Sequence, residues 1–116
     1  MVVAYAVLAV LLSAMLGMSA RGKLVGDPRV VEGLTNAGTP RAWYPYLAAC
    51  EIAGALGLLA GLFVRPSGIA AAVGIVLYFV GAVGFHLRAG DVKGLPPAAV
   101  ILVAAVAALT LRTLAG

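Results

Sequence analysis

Apolar residues run along this chain in four long blocks, with the polar residues almost entirely between them. Residues 2–20 carry no charge. Residues 43–64 carry one, Glu51. Residues 67–87 are apolar up to His86, and 95–111 are apolar with Arg112 just beyond. A helix crossing a bilayer needs roughly 20 such residues. Spans are therefore expected at about 2–20, 43–64, 67–87 and 95–112, joined through 21–42, 65–66 and 88–94. The predicted fold is all-α: an integral-membrane four-helix bundle running up-down-up-down, a single transmembrane domain over residues 1–116.

The longest connection has a pattern of its own. Asp27-Pro28 reads as an N-cap followed by proline in the first helical position. Val30, Val31 and Leu34 then form an apolar stripe, and Asn36-Ala37-Gly38 supplies a stop. A short interfacial helix over about 28–37 is expected. Trp43, Tyr44 and Tyr46 follow as an aromatic belt, and Pro96-Pro97 opens the fourth span. The chain begins Met1-Val2-Val3-Ala4-Tyr5 with no Lys or Arg, whereas a cleaved leader has a basic start. The first span is read as retained.

Small residues punctuate the spans. Ala53, Gly57 and Gly61 form a small-xxx-small row with Gly54 beside it, and Gly74, Gly81 and Gly84 recur in the third span. Such rows let helix backbones approach; they are read as bundle packing and as a surface for a homodimer or larger membrane complex. Gly17-Met18-Ser19-Ala20-Arg21 and Gly84-Phe85-His86-Leu87-Arg88 share a G-x-x-x-R echo, as two related hairpins would.

Composition sharpens the class. The chain has 116 residues, 64% hydrophobic and 10% charged, with a mean hydropathy of +1.13. A soluble domain is about 45–50% apolar and about 25% charged, and a chain this small cannot hide such an excess from water. A soluble enzyme and a disordered chain are excluded; the surrounding partner is the lipid bilayer. The net charge of +4 is read as membrane topology, with no nucleic acid implied. Arg21, Lys23, Arg29, Arg41, Arg88 and Lys93 belong to the face of the two longer loops. The other face has only Arg65 and Arg112, with no comparable cluster. The positive-inside rule then puts both longer loops in the cytoplasm and the termini outside. With one cysteine, Cys50, there is no intrachain disulfide, redox pair or cysteine zinc site. Too few histidines and carboxylates are present for haem or di-iron, so no metal is expected.

Glu51 is the main candidate for chemistry. It lies eight residues past Trp43, roughly 12 Å into its span at about 1.5 Å per residue. An ionisable group there faces the bundle interior, where it finds a partner or stays protonated. Gly54 one turn deeper is expected to leave open space beside the carboxyl. Arg21 or Lys23 folding in would make Glu51 an ionised, structural group; otherwise it is free for proton relay or acid–base work. His86, the single histidine, could share that proton. Glu51, His86, Arg21, Lys23, Arg88 and Asp91 all fall in the same half of the bundle, a polar mouth. Glu51 and His86 are the candidate catalytic residues, and Lys23, Arg21, Arg88, Asp91 and Gly54 the candidate binding residues.

Gly22-Lys23-Leu24, the stretch Cys50-Glu51-Ile52-Ala53-Gly54-Ala55-Leu56-Gly57-Leu58-Leu59-Ala60-Gly61-Leu62, and Gly81-Ala82-Val83-Gly84-Phe85-His86-Leu87-Arg88-Ala89-Gly90-Asp91 run in that order. With them the chain resembles the DoxX-like small membrane proteins. These are four-helix bundles related to the small subunits of thiosulfate:quinone oxidoreductase. The resemblance implies an inner-membrane protein whose shared polar residues are Lys23, Glu51, His86, Arg88 and Asp91. It implies a small subunit of a membrane redox system, with a quinone or another lipophilic molecule at the mouth and no covalently bound cofactor. A proton-coupled transporter of small solutes, an acid–base isomerase or cyclase acting on a lipophile, and an assembly partner without chemistry of its own stand beside that reading.

Overall fold

The computed structural model describes residues 2–114; Met1, Ala115 and Gly116, the outermost positions of the expected domain, lie outside the described residues. Among the described residues every regular element is a helix, with no strand. The helices are α1 (Val2–Val25), α2 (Pro28–Asn36), α3 (Tyr44–Ala60), α4 (Arg65–Arg88) and α5 (Leu95–Leu114), and one 3₁₀ turn, Arg41–Trp43, precedes α3. Four stretches are long and apolar enough to cross a membrane: Val2–Val25, Arg41–Ala60, Arg65–Arg88 and Leu95–Leu114. The protein is a multi-pass membrane protein.

Hydropathy alone does not say which face of such a helix is buried, because lipid is as apolar as a core. The interior is marked by the register of the buried residues. Tyr5, Ala9, Leu12, Leu16, Ala20 and Lys23 are buried on α1; Tyr44, Ala48, Glu51, Ala55 and Leu58 on α3. Gly68, Ala72, Ile75 and Phe79 are buried on α4, and Ala98, Ile101, Ala105, Ala108 and Arg112 on α5. Every stripe steps by three or four residues, the seam along which packed helices meet. Valines and leucines such as Val3, Val7, Leu56, Leu77 and Val103 lie exposed on the outer faces, where lipid tails replace water as solvent.

α1 packs on α3 and α5, and α4 on α3 and α5. The Tyr5 hydroxyl near the start of α1 donates to the Leu58 carbonyl near the end of α3 at 2.8 Å. Ser13 Oγ donates to the Ala55 carbonyl at 3.1 Å. Between α3 and α4, a side chain on Gly57 would meet the Ala71 methyl at 2.7 Å, and one on Gly61 would overlap the Gly68 backbone. The glycine row of α3 is thus consumed inside the bundle. On α4, by contrast, Gly74, Gly81 and Gly84 have nothing within 4 Å of a built Cβ.

Several helix boundaries differ from the sequence reading. α1 runs through Arg21 and Lys23 to Val25 rather than ending at residue 20, because cations suit a helix C-terminus and Gly26, at φ +72°, supplies the stop. α3 ends at Ala60, and the expected turn at 65–66 lies instead at 61–64. Arg65 and Pro66 begin α4, where a proline loses no hydrogen bond. α2 forms as Pro28–Asn36, with Asp27 Oδ1 accepting from the Arg29 amide at 2.9 Å. Gly22 lets it approach α1, since a Cβ there would come within 2.5 Å of Val30 Cγ2.

The half of the bundle holding Arg65 and Arg112 has polar contacts of its own. Buried Arg112 donates through Nε to the Gly61 carbonyl at 2.7 Å and packs over the Tyr5 ring at 5.7 Å. Arg65 donates to the carbonyls of Arg112 and Thr113 at 3.3 and 2.5 Å. The last carbonyls of a helix have no intrahelical donors. Arg65 supplies them for α5 and ties that end to the start of α4.

Candidate functional site

The interior stripes of α1 and α3 each bring one charge into the bundle, and the two charges meet. Lys23 Nζ lies 2.5 Å from Glu51 Oε1 and also donates to Ser19 Oγ at 2.7 Å, one turn back on α1. Lys23 is 8% exposed and Glu51 2%. Of the two outcomes open for Glu51, the structure takes the paired one, and Lys23 rather than Arg21 is the partner. The pairing uses one carboxylate oxygen. Oε2 is buried and has no hydrogen-bond partner among the described residues.

Glu51 also lines a cavity of about 730 Å³ between α3 and α4. Small residues line one part of it, among them Gly54, Gly57, Ala70, Ala71 and Gly74, and Leu16, Ile75, Leu77, Tyr78 and Phe79 line the rest. Gly54 does not itself leave the carboxyl an open neighbour: a Cβ there would meet Ile75 Cγ1 at 2.8 Å. The space comes from the whole row of small residues on both helices. Exposed Ala53, Ala70, Gly74 and Leu77 lie along it, so it opens on the lipid-facing side of the bundle.

His86 sits at the end of α4 and takes a different partner. Its Nδ1 is 2.9 Å from Asp91 Oδ2, while Asp91 Oδ1 accepts from the Gly94 amide at 3.2 Å. A Cβ on Gly94 would lie 2.5 Å from the His86 ring, so glycine is what allows the α4–α5 loop to close on the histidine. Glu51 and His86 are therefore each hydrogen-bonded elsewhere rather than to one another. His86 faces two further cavities, neither of them lined by Glu51. A cavity of about 240 Å³ beneath α2 is lined by Lys23, Arg29, Leu34, Tyr78 and His86. An apolar one of about 170 Å³ lies between Leu34, Trp43, Tyr78, Phe85 and His86.

Two expected binding residues stay outside. Arg21 is exposed on α1, on the other side of the helix from Lys23. Arg88 is exposed and stacks over the Phe85 ring at 4.9 Å; Phe85 in turn lies 5.8 Å from the Trp43 ring. The ends of α3 and α4 are joined by this stack, and Arg88 serves it rather than the cavity.

Two residues that were not among the candidates belong at the centre. Ser19 fixes the Lys23 ammonium. Tyr78 lines the Glu51 cavity and the two cavities at His86 alike. It is the wall between the Glu51 groove and the space near His86. The sequence does carry a signal for it: Tyr78 lies eight residues before His86, near two helical turns. Among the described residues, no three of His, Cys, Asp and Glu come together as metal ligands would.

The model of the DoxX-like family matches residues 7–108 of this chain. No curated protein and no solved structure matches it.

Proposed function

The chain belongs to the DoxX-like family, and from that premise we propose that it is a small subunit of a membrane redox system. It holds a lipophilic molecule of the quinone–hydroquinone class in the cavity beside Glu51. One observation carries the reading: a buried Lys23–Glu51 pair whose second carboxylate oxygen is unpartnered borders an apolar cavity open to lipid. Ligand sites of this kind are mostly apolar with a few convergent polar groups. Glu51 and Tyr78 contact the headgroup, Lys23 and Ser19 position the carboxylate, and the small-residue walls receive the tail. His86 and Asp91 shape the neighbouring space beneath α2.

The transport and acid–base readings rank lower, because each asks Glu51 or His86 to hand its proton to a substrate. Each is already hydrogen-bonded, to Lys23 and to Asp91. The inner membrane, with both longer loops in the cytoplasm, is the location this reading uses, and a second copy or a larger redox complex supplies the electron partner.

The test uses the purified chain in lipid nanodiscs, titrated with decyl-1,4-benzoquinone and its hydroquinone, with protein-free nanodiscs subtracted. At least one form binds saturably, and Glu51→Gln weakens that binding about tenfold, the worth of one hydrogen bond to a charged group. No saturable binding of either form, or equal affinity in Glu51→Gln, overturns the proposal.

A further inference from the structure

The quinone–hydroquinone class contains two chemically opposite headgroups, and the cavity is not neutral between them. Resting on the reading above, we propose that it selects a neutral lipophile presenting a hydroxyl, the phenol or hydroquinone form, over the form with carbonyls alone. The hydroxyl donates to Glu51 Oε2.

Three observations lead there. The first is hydrogen-bond sense. Oε1 is occupied by the Lys23 ammonium and Oε2 is buried with no donor. An ionised carboxylate only accepts, and a buried acceptor without a donor costs free energy until one arrives. A hydroxyl supplies that donor. A quinone carbonyl brings another acceptor and leaves Oε2 as it was.

The second is charge. Lys23 and Glu51 together are neutral, so a lipophile with an ammonium group would leave one uncompensated positive charge at membrane depth, which is expensive. A neutral hydroxyl meets the same oxygen without that cost. The third is shape. From Glu51 the cavity continues past Gly54, Gly57, Ala71 and Gly74, a wall of small apolar groups suited to an alkyl or isoprenoid tail. Tyr78 lines the same cavity as Glu51, so an aromatic face borders the place a headgroup would take.

Three probes separate the possibilities: 4-decylphenol, its methyl ether 4-decylanisole, and decyl-1,4-benzoquinone. Each is titrated into the chain in nanodiscs against protein-free nanodiscs. The phenol is expected to bind about tenfold tighter than the other two, and Glu51→Gln to narrow that gap to less than threefold. Gly74→Leu locates the site without touching the ion pair. A Cβ at Gly74 meets nothing within 4 Å and the residue lines the cavity, so leucine fills the space and lowers the affinity of all three probes at least tenfold. Equal affinities that still fall in Gly74→Leu overturn the hydroxyl selection and leave the quinone-class reading standing. A phenol preference unchanged in Glu51→Gln overturns the assignment to that carboxyl. Binding of none of the three, or binding indifferent to Gly74→Leu, overturns this inference and the reading it rests on.

Discussion

Removing one member of the Lys23–Glu51 pair should cost far more than removing both. The carboxyl lies about 10 Å into α3, counting from Tyr44 at about 1.5 Å per residue, and is 2% exposed. Lys23→Met leaves that carboxylate without its 2.5 Å partner. Breaking a buried pair on one side costs roughly 3–5 kcal/mol in soluble proteins, and a lone charge at mid-span roughly 2.5–3.5 kcal/mol on insertion scales. A loss of about 3 kcal/mol is the expectation for Lys23→Met, and the same for Glu51→Leu. The double variant, Lys23→Met with Glu51→Leu, removes both charges and replaces them by apolar groups, which is often neutral. It should lie within about 1 kcal/mol of the wild type, giving a coupling energy of several kcal/mol. Reversible unfolding in mixed micelles measures this, with helical circular dichroism and the fluorescence of Trp43, the one tryptophan, as independent probes. Additive single losses, or single variants within about 1 kcal/mol of wild type, would refute the claim that the pair is buried and mutually dependent. The same double variant should still lose the 4-decylphenol preference, because the folding role and the binding role of Glu51 are different properties of one carboxyl.

Gly61→Ala places a methyl into the Gly68 backbone and should destabilise by about 1–3 kcal/mol in the same assay, whereas Gly81→Ala meets open space and should stabilise by about 0.5–1 kcal/mol. Gly94→Ala drives a Cβ against the His86 ring; backbone amide exchange in residues 89–94 should rise while exchange in α3 stays constant. Arg112→Met removes the donor to the Gly61 carbonyl and should cost about 1–3 kcal/mol without changing the affinity for any probe, since it acts at the opposite end of the bundle from Lys23 and His86.

The four spans were legible because block length is a one-dimensional property and a bilayer imposes it directly. Helix ends were less so. A charge ordinarily marks where an apolar span stops, and by that rule α1 should end before Arg21. Lys23 defeats the rule because its ammonium has a partner inside the bundle, so the helix carries a charge inward instead of ending at it. The α3–α4 turn was displaced for a related reason: Arg65 reads as a loop charge, yet it serves the carbonyls that end α5.

The site was legible at Glu51, since a lone carboxyl within an apolar block is conspicuous, and the resemblance separately pointed to Lys23. Choosing Lys23 over Arg21 from the residues alone requires the interior register, not the loop. Tyr5, Ala9, Leu12, Leu16 and Ala20 step by three or four, and the next position on that stripe is Lys23, not Arg21. The same register places Glu51 between Ala48 and Ala55 on α3, and Arg112 after Ala105 and Ala108 on α5. In each helix the charge enters where alanines allow two backbones to close, so a side chain from one reaches its partner on another. Register, rather than hydropathy, is therefore the variable that locates the site in a chain whose solvent is as apolar as its core. Tyr78 follows from this as well. It lies next to the buried seam of α4 at Phe79, so its ring borders the groove left by the small residues of α3 and α4. A large amphipathic side chain beside a cavity made by small ones is placed to touch whatever fills it.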